Sequence, residues 1–185
     1  LPLNPSKVLN WIKNSETRPS KETQEFVSFD TQDKPAIFGS GEFEIKATPT
    51  KVWELLLNPS KLADMVPGCE SLDIVDENKF SGTAMLGAGP VKGRFIASIE
   101  LRDLEKPSKA KIIGSAEGPL GSSRGSGSFE LTETPSGTSL KYCYEVALSG
   151  TIAAVGGRLL RGAARQLINI FLRSLARQAG DMGRV

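Results

Sequence analysis

The stretch from Thr151 to Gln178, TIAAVGGRLLRGAARQLINIFLRSLARQ, constrains this chain more than any other. At about 100° per residue, Leu159, Leu160, Ala163, Leu167, Ile170 and Phe171 fall on one broad apolar face, and Arg158, Arg161, Arg165, Asn169 and Arg173 on the other. Arg177 returns to the apolar side, so the pattern is expected to end or fray there. No acidic residue occurs between Glu145 and Asp181, which gives the helix a single charge sign. The apolar stripe needs a sheet to lie on, and the arginines need water or an anionic surface. Gly156, Gly157 and Gly162 lie inside the pattern, each costing roughly 1 kcal/mol against alanine in a helix interior. Tertiary packing has to offset that cost, and the missing side chains would let a sheet or a ligand come close.

The chain ahead of this helix reads as strands. Glu42 to Ala47 sets Phe43, Ile45 and Ala47 against mostly charged residues, a half-buried first strand in a globular part that begins near Gly39. Thr48-Pro49 is an N-cap followed by proline at the first helical position, and Asn58-Pro59 stops the helix that carries Val52, Trp53, Leu56 and Leu57. Ser60 is read as the cap of a second short helix, which Pro67-Gly68 ends. Six strands follow near 70–76, 79–87, 90–104, 109–118, 124–134 and 138–150, with Gly/Ser-rich 118–128 read as a loop. Val91, Phe95, Ala97, Ile99 and Leu101 point one way, while Lys92, Arg94, Ser98 and Glu100 point the other. Leu140, Tyr142, Tyr144, Val146 and Leu148 likewise face inward, opposite Lys141 and Glu145. One wet face, one apolar face and short connections mean an antiparallel sheet. The expected fold is α+β: a seven-stranded antiparallel curved sheet gripping a long C-terminal helix, with two short helices after strand 1. Such a sheet closed by one helix leaves room for a pocket between them.

Composition excludes several functions. An apolar content of 39% suffices for a core, and a net charge of +2 gives no electrostatic footprint for nucleic acid. The aromatics are sparse and not interleaved with basic residues, so base stacking has no support and nucleic acid is not a partner. The absence of histidine removes Ser-His and Cys-His nucleophiles and every histidine-containing metal site. Cys69 and Cys143 are far apart, form no CxxC, and are read as free thiols rather than metal ligands. No run approaches the ~20 apolar residues of a spanning helix. The glycine-rich stretch lacks GxxxxGK[ST] and leads into no helix, so it is no phosphate cradle. Candidate acids and bases reduce to Glu117, Glu130, Glu145, Tyr142 and Tyr144. Strand parity sends Glu117 and Glu145 to solvent and sets Glu130 opposite Phe129 and Leu131, so no catalytic residue and no metal site is assigned. The tyrosines point inward, either as core with a satisfied hydroxyl or with one donating to a ligand carbonyl.

From 39 to 179 the residues resemble the carbon monoxide dehydrogenase G-subunit family, within the SRPBCC (helix-grip, lipid-transfer-like) superfamily. The resemblance rests on GSGEFEI, PTKVWELLLNP, Pro67-Gly68-Cys69-Glu70 and Gly89-Pro90-Val91-Lys92-Gly93-Arg94-Phe95. It continues through Gly118-Pro119 with Arg124-Gly125-Ser126, Leu131-Thr132-Glu133 with Gly137-Thr138 and Tyr142, and GGRLLRGAAR. Where the family commonly has two adjacent phenylalanines late in the final helix, Ile170-Phe171 stand here. The resemblance implies a non-catalytic accessory to molybdenum hydroxylases of the carbon monoxide and xanthine dehydrogenase type. It implies handling of a lipophilic electron acceptor, a quinone (menaquinone or ubiquinone), and association with the inner face of the cytoplasmic membrane. The implied partners are molybdenum hydroxylase subunits, an anionic membrane surface and a lipophilic small molecule.

LPLNPSKVLNWI resembles the closing segment of the molybdopterin-binding large subunit of those enzymes, where Pro-Leu-x-Pro-x-x-Val-Leu is common. With Leu1 in place of an initiator methionine, the expectation is the end of a large subunit fused to its accessory domain. The division is then a docking segment at 1–13, a linker at 14–38, the helix-grip domain at 39–180 and a tail at 181–185.

The expected cavity is lined by Phe95, Ala97 and Ile99 from the sheet, Ile112 and Tyr144 opposite, and Leu160, Ala164, Leu167 and Phe171 from the helix. Arg158, Arg161, Arg165 and Arg173 form the membrane or partner face. Each contributes about 1 kcal/mol at most near an anionic bilayer, enough together for reversible recruitment but not insertion. Two other classes stay open: a purely structural docking domain of an oxidoreductase complex, and a pocket enzyme of the cyclase or hydrolase sort. A filled core would favour the first, and a buried carboxylate facing the cavity the second.

Overall fold

The computed structural model describes residues 36–88 and 90–181; the docking segment at 1–13 and nearly all of the linker lie outside the described residues. Strand β1 (Ala36–Ile45) starts three residues before the boundary read at Gly39 and stops before Ala47. Its extra length comes from pairing along all ten residues with the last strand. Helix α1 (Pro49–Leu56) is capped by Thr48, whose Oγ1 accepts from the Lys51 amide at 3.4 Å. Helix α2 (Pro59–Met65) is capped by Asn58 rather than Ser60: the Asn58 side-chain oxygen accepts from the Lys61 amide at 3.2 Å, and Pro59 takes the first helical position.

The remaining strands are β2 (Cys69–Asp76), β3 (Lys79–Ala88), β4 (Val91–Glu105), β5 (Lys109–Gly118), β6 (Gly121–Thr134) and β7 (Gly137–Ser149). They form one seven-stranded antiparallel sheet in the order β1-β7-β6-β5-β4-β3-β2. Strands β2 to β7 are a meander, and β1 closes onto β7, so α1 and α2 carry the chain from one edge of the sheet to the other. The Gly/Ser-rich stretch is strand, not loop, from Gly121 onward; only Pro119 and Leu120 turn between β5 and β6. Small residues obscure the alternation there, while both neighbours supply a full ladder of backbone partners.

After β7 a 3-10 turn (Thr151–Val155) ends at Gly156, which has φ +105°, and helix α3 runs from Gly157 to Asp181. The continuous helix read from Thr151 is thus broken at Gly156, a backbone conformation open to glycine. It does not fray at Arg177, because Leu175 and Ala179 are buried on either side of that exposed arginine. The buried stripe is Leu160, Leu172, Leu175 and Ala179, with Ala164, Ile168 and Phe171 half-buried. Leu159 and Ile170, read onto the apolar face, are 48% and 39% exposed, so the stripe is rotated from the expected one. Gly162 is exposed, and a Cβ added there would meet nothing within 4 Å, so this glycine admits neither sheet nor ligand.

Two separate apolar clusters hold α3 on the sheet. The larger joins Val52, Trp53 and Leu55 of α1 and Met65 of α2 to Ile45, Ala110, Phe129, Leu131 and Leu140, and to Leu172, Leu175 and Ala179. Trp53 and Phe129 meet at a ring separation of 5.8 Å, tilted by 56°. The smaller joins Ile37, Leu148, Ile152 and Leu160 at the other end of the helix. Two stretches that carry the family resemblance meet on the opposite face, where Arg94 donates to both carboxylate oxygens of Glu70 at 2.8 and 3.0 Å. Leu175→Ala is expected to cost about 3 kcal/mol in urea unfolding, as a fully buried leucine does, and Leu167→Ala, half-buried between the clusters, less than half of that.

Candidate functional site

The concave face between the two clusters is assembled by strand register. One row runs Gly39, Tyr144, Gly127, Ile112 and Leu101 across β1, β7, β6, β5 and β4. The next runs Ile37, Val146, Gly125, Gly114, Ile99 and Phe80. A third contains Leu148, Ser123, Ala116, Ala97 and Gly82. Small residues therefore floor the middle of the face. A Cβ added at Gly114 would meet nothing nearer than a carbonyl oxygen at 3.7 Å.

Above this floor α3 is bridged rather than seated. Its backbone comes close to β1 and, more briefly, to β3, with at most marginal approach to β4, β5, β6 and β7. Leu167 and Phe171 on the helix and Ile99, Ile112, Tyr142, Tyr144 and Val146 on the sheet all keep part of their surface exposed. A helix packed tightly along its whole length would bury them.

Of the expected lining, Ala97, Ile99, Ile112 and Tyr144 share adjacent rows of this floor. Phe95 is buried further along, its ring against Gly118. Leu160 belongs to the smaller cluster and closes that end; Ala164 packs against the same cluster, and Phe171 and Ile112 against the larger one. Leu167 belongs to neither. Sequence reasoning misses the glycines at 39, 41, 114, 125 and 127 as part of a site, although their alignment opposite inward side chains is a usable signal. It also misses Ile168, which is half-buried.

Tyr142 and Tyr144 lean over the edge strand. Each lies opposite a glycine of β1, Tyr144 by Gly39 and Tyr142 by Gly41. A Cβ at either glycine would come within 2.5 Å of the facing phenol oxygen and 2.7 Å of its ring carbon, so only glycine leaves the rings this path. Neither hydroxyl has a hydrogen-bond partner among the described residues. Burial raises both phenols above the ordinary 10.0, with the Tyr142 phenol adding to the effect at Tyr144, while the Arg165 charge pulls both back down. Arg165 is exposed, yet it stands near these phenols; it occupies the helix position two turns before Leu172, on the same stripe. Arg158, Arg161 and Arg173 are also exposed, with Arg161 lying back toward Gly157 on its own helix.

Glu117 and Glu145 are registered on the opposite face with Ile96 and Ser126, and Glu130 with Lys109 and Lys141. The rows around Tyr144 hold no carboxylate. Cys69 and Cys143 are free thiols, and burial raises the pKa of each. No group of three metal-ligating side chains occurs among the described residues.

A curved antiparallel sheet holding one long helix across its concave face is the helix-grip architecture. The profile of CoxG, the G subunit of carbon monoxide dehydrogenase, matches residues 41–180, and the chain belongs to that family. A conserved protein from Geobacillus kaustophilus is similar at 33% identity and a TM-score of 0.75, over 78% of this chain and 96% of that one. The Zhui aromatase/cyclase of a Streptomyces species shares the fold at 12% identity and a TM-score of 0.60, over 82% and 98% of the two chains. A Mesorhizobium loti protein does so at 20% identity and 0.57, over 80% and 100%. None of the curated proteins matches the chain.

Because the chain has two tyrosines, phenolate absorbance reports this site alone. Both are expected to titrate at higher pH in the native protein than after unfolding. A raised native pKa contributes stability that is fully present below the unfolded value and lost as pH climbs through the native one, so this contribution should fade only above pH 10. Removing the charge in Arg165→Gln should move the titration of both further up.

Proposed function

We propose that this domain is a non-catalytic accessory module that holds a lipophilic small molecule, a quinone electron acceptor, between the sheet and α3. The observation that carries this reading is the helix fastened at its two ends over a floor of small residues, with a row of apolar side chains left half-buried between. Small-molecule sites are mostly apolar with a few placed polar groups, and this band has that composition. The absence of a carboxylate from the rows around Tyr144 counts against acid–base chemistry there, whatever the cyclase among the structural relatives does. Membership in the CoxG family supports service to a molybdenum hydroxylase of the carbon monoxide or xanthine dehydrogenase type.

The same helix recruits the enzyme to the inner face of the cytoplasmic membrane. No helix among the described residues is long and apolar enough to cross a bilayer. Outward-facing Arg158, Arg161 and Arg173 are interspersed with exposed Leu159 and Ile170, a mixture suited to an anionic lipid surface. Apolar residues at the outer surface remove the conflict between burying one side of the helix on the sheet and offering another to lipid.

Gly114→Val adds volume to the floor where the backbone has room for it. Ubiquinone-1 binding, measured by calorimetry, is expected to fall about tenfold, the size of an overpacking penalty, with no loss of thermal stability. Unchanged affinity would place the ligand elsewhere. Reversing three charges (Arg158→Glu, Arg161→Glu, Arg173→Glu) is expected to weaken co-sedimentation with anionic vesicles on the order of 100-fold. Wild-type co-sedimentation should itself weaken as salt rises.

A further inference from the structure

The two phenols and Arg165 have no role in holding the fold that requires their polar atoms. The tyrosine rings cover the bare backbone of Gly39 and Gly41, a packing task that phenylalanine would do equally well. Their oxygens extend past that task, over β1, the outermost strand of the sheet, and find no partner among the described residues. The nearby Arg165 makes no ion pair with a described residue. It lies about one turn from Ile168 and two from Leu172, so its stem borders the apolar stripe while its charge stays exposed. Two phenol donors lying over Gly39 and Gly41 of the edge strand, with one exposed guanidinium in their neighbourhood, therefore border the apolar band.

We propose that Tyr142, Tyr144 and Arg165 form the polar end of the ligand site, a cradle of donors for an acceptor oxygen on the head of an otherwise apolar molecule. This rests on the ligand-holding reading above and adds which end of the ligand lies where. The head sits beneath Arg165 at the β1 edge, and the apolar body extends over Gly127, Gly114 and Ala97. The guanidinium can only donate, and the phenols remain protonated donors at neutral pH. The cradle thus favours an uncharged carbonyl or an anionic oxygen and rejects a bare hydrocarbon or a cationic head. A quinone carbonyl and a fatty-acid carboxylate share this chemistry.

The test is calorimetric titration of the 185-residue chain with three probes: ubiquinone-1, decanoate, and 1-methylnaphthalene, which has a comparable apolar body and no oxygen. The variants are Tyr144→Phe, the double Tyr142→Phe/Tyr144→Phe, and Arg165→Gln. Phenylalanine keeps the ring over the glycine, so the fold is preserved while the donor is lost. Ubiquinone-1 binding is expected to weaken about tenfold in Arg165→Gln, the effect of one lost hydrogen bond, and at least as much in the double variant, which loses two donors, with 1-methylnaphthalene unaffected. If decanoate alone shows this dependence, the cradle stands and its ligand is a carboxylate rather than a quinone. Wild-type affinity of the variants for both oxygenated probes overturns the cradle and leaves the apolar site intact. Equal loss of all three probes overturns it as well, since the residues would then be merely structural. A wild-type chain that binds none of the probes removes the ligand-holding reading and the cradle together.

Discussion

The apolar fastening of α3 at its two ends is the constraint on which the rest of the structure depends. At one end Leu172, Leu175 and Ala179 lie against α1, α2 and the ends of β6 and β7; at the other Leu160 lies against Ile37, Leu148 and Ile152. Fully burying a leucine contributes about 1.5–3 kcal/mol, so a handful of such contacts suffices to hold a 25-residue helix without help from its middle. The middle is therefore free of the packing requirement that governs an ordinary core. This division explains how one helix can have a strongly buried stripe and still present Leu167 and Phe171 half-covered.

Much of the fold is legible because strands and helix punctuation carry short-range signals. The alternation of Val91 to Leu101 and of Leu140 to Leu148 puts the correct residues on the concave face. Thr48-Pro49 locates α1, and the turn residues locate five of the six later strand starts to within a residue or so. The start of β6 is hidden because glycine and serine have weak strand preference, and pairing with two neighbours overrides it. The helix phase is easily misjudged because leucines occur on two sides of α3. Which side packs is decided by Leu175 and Ala179 near its C-terminal end, and that rotation leaves Leu159 and Ile170 exposed.

The site is only half legible. Side chains such as Tyr144, Ile112 and Ile99 declare themselves by parity, but a floor made by missing side chains becomes visible only once register is known. Gly39, Gly41, Gly114 and Gly127 are scattered across the chain and have meaning only when β1, β7, β6 and β5 are laid side by side. Arg165 is exposed like the other arginines of α3, yet its charge acts on both phenols, a neighbourhood that a helix wheel alone does not reveal.

The arrangement of β1 has a directional consequence. Being the outermost strand, it has no further neighbour, and at Gly39 and Gly41 it has no side chain to raise a rim. Because α3 approaches β1 more closely than any other strand, that flank is covered from above by the helix, and the two phenol rings take up the room the glycines leave.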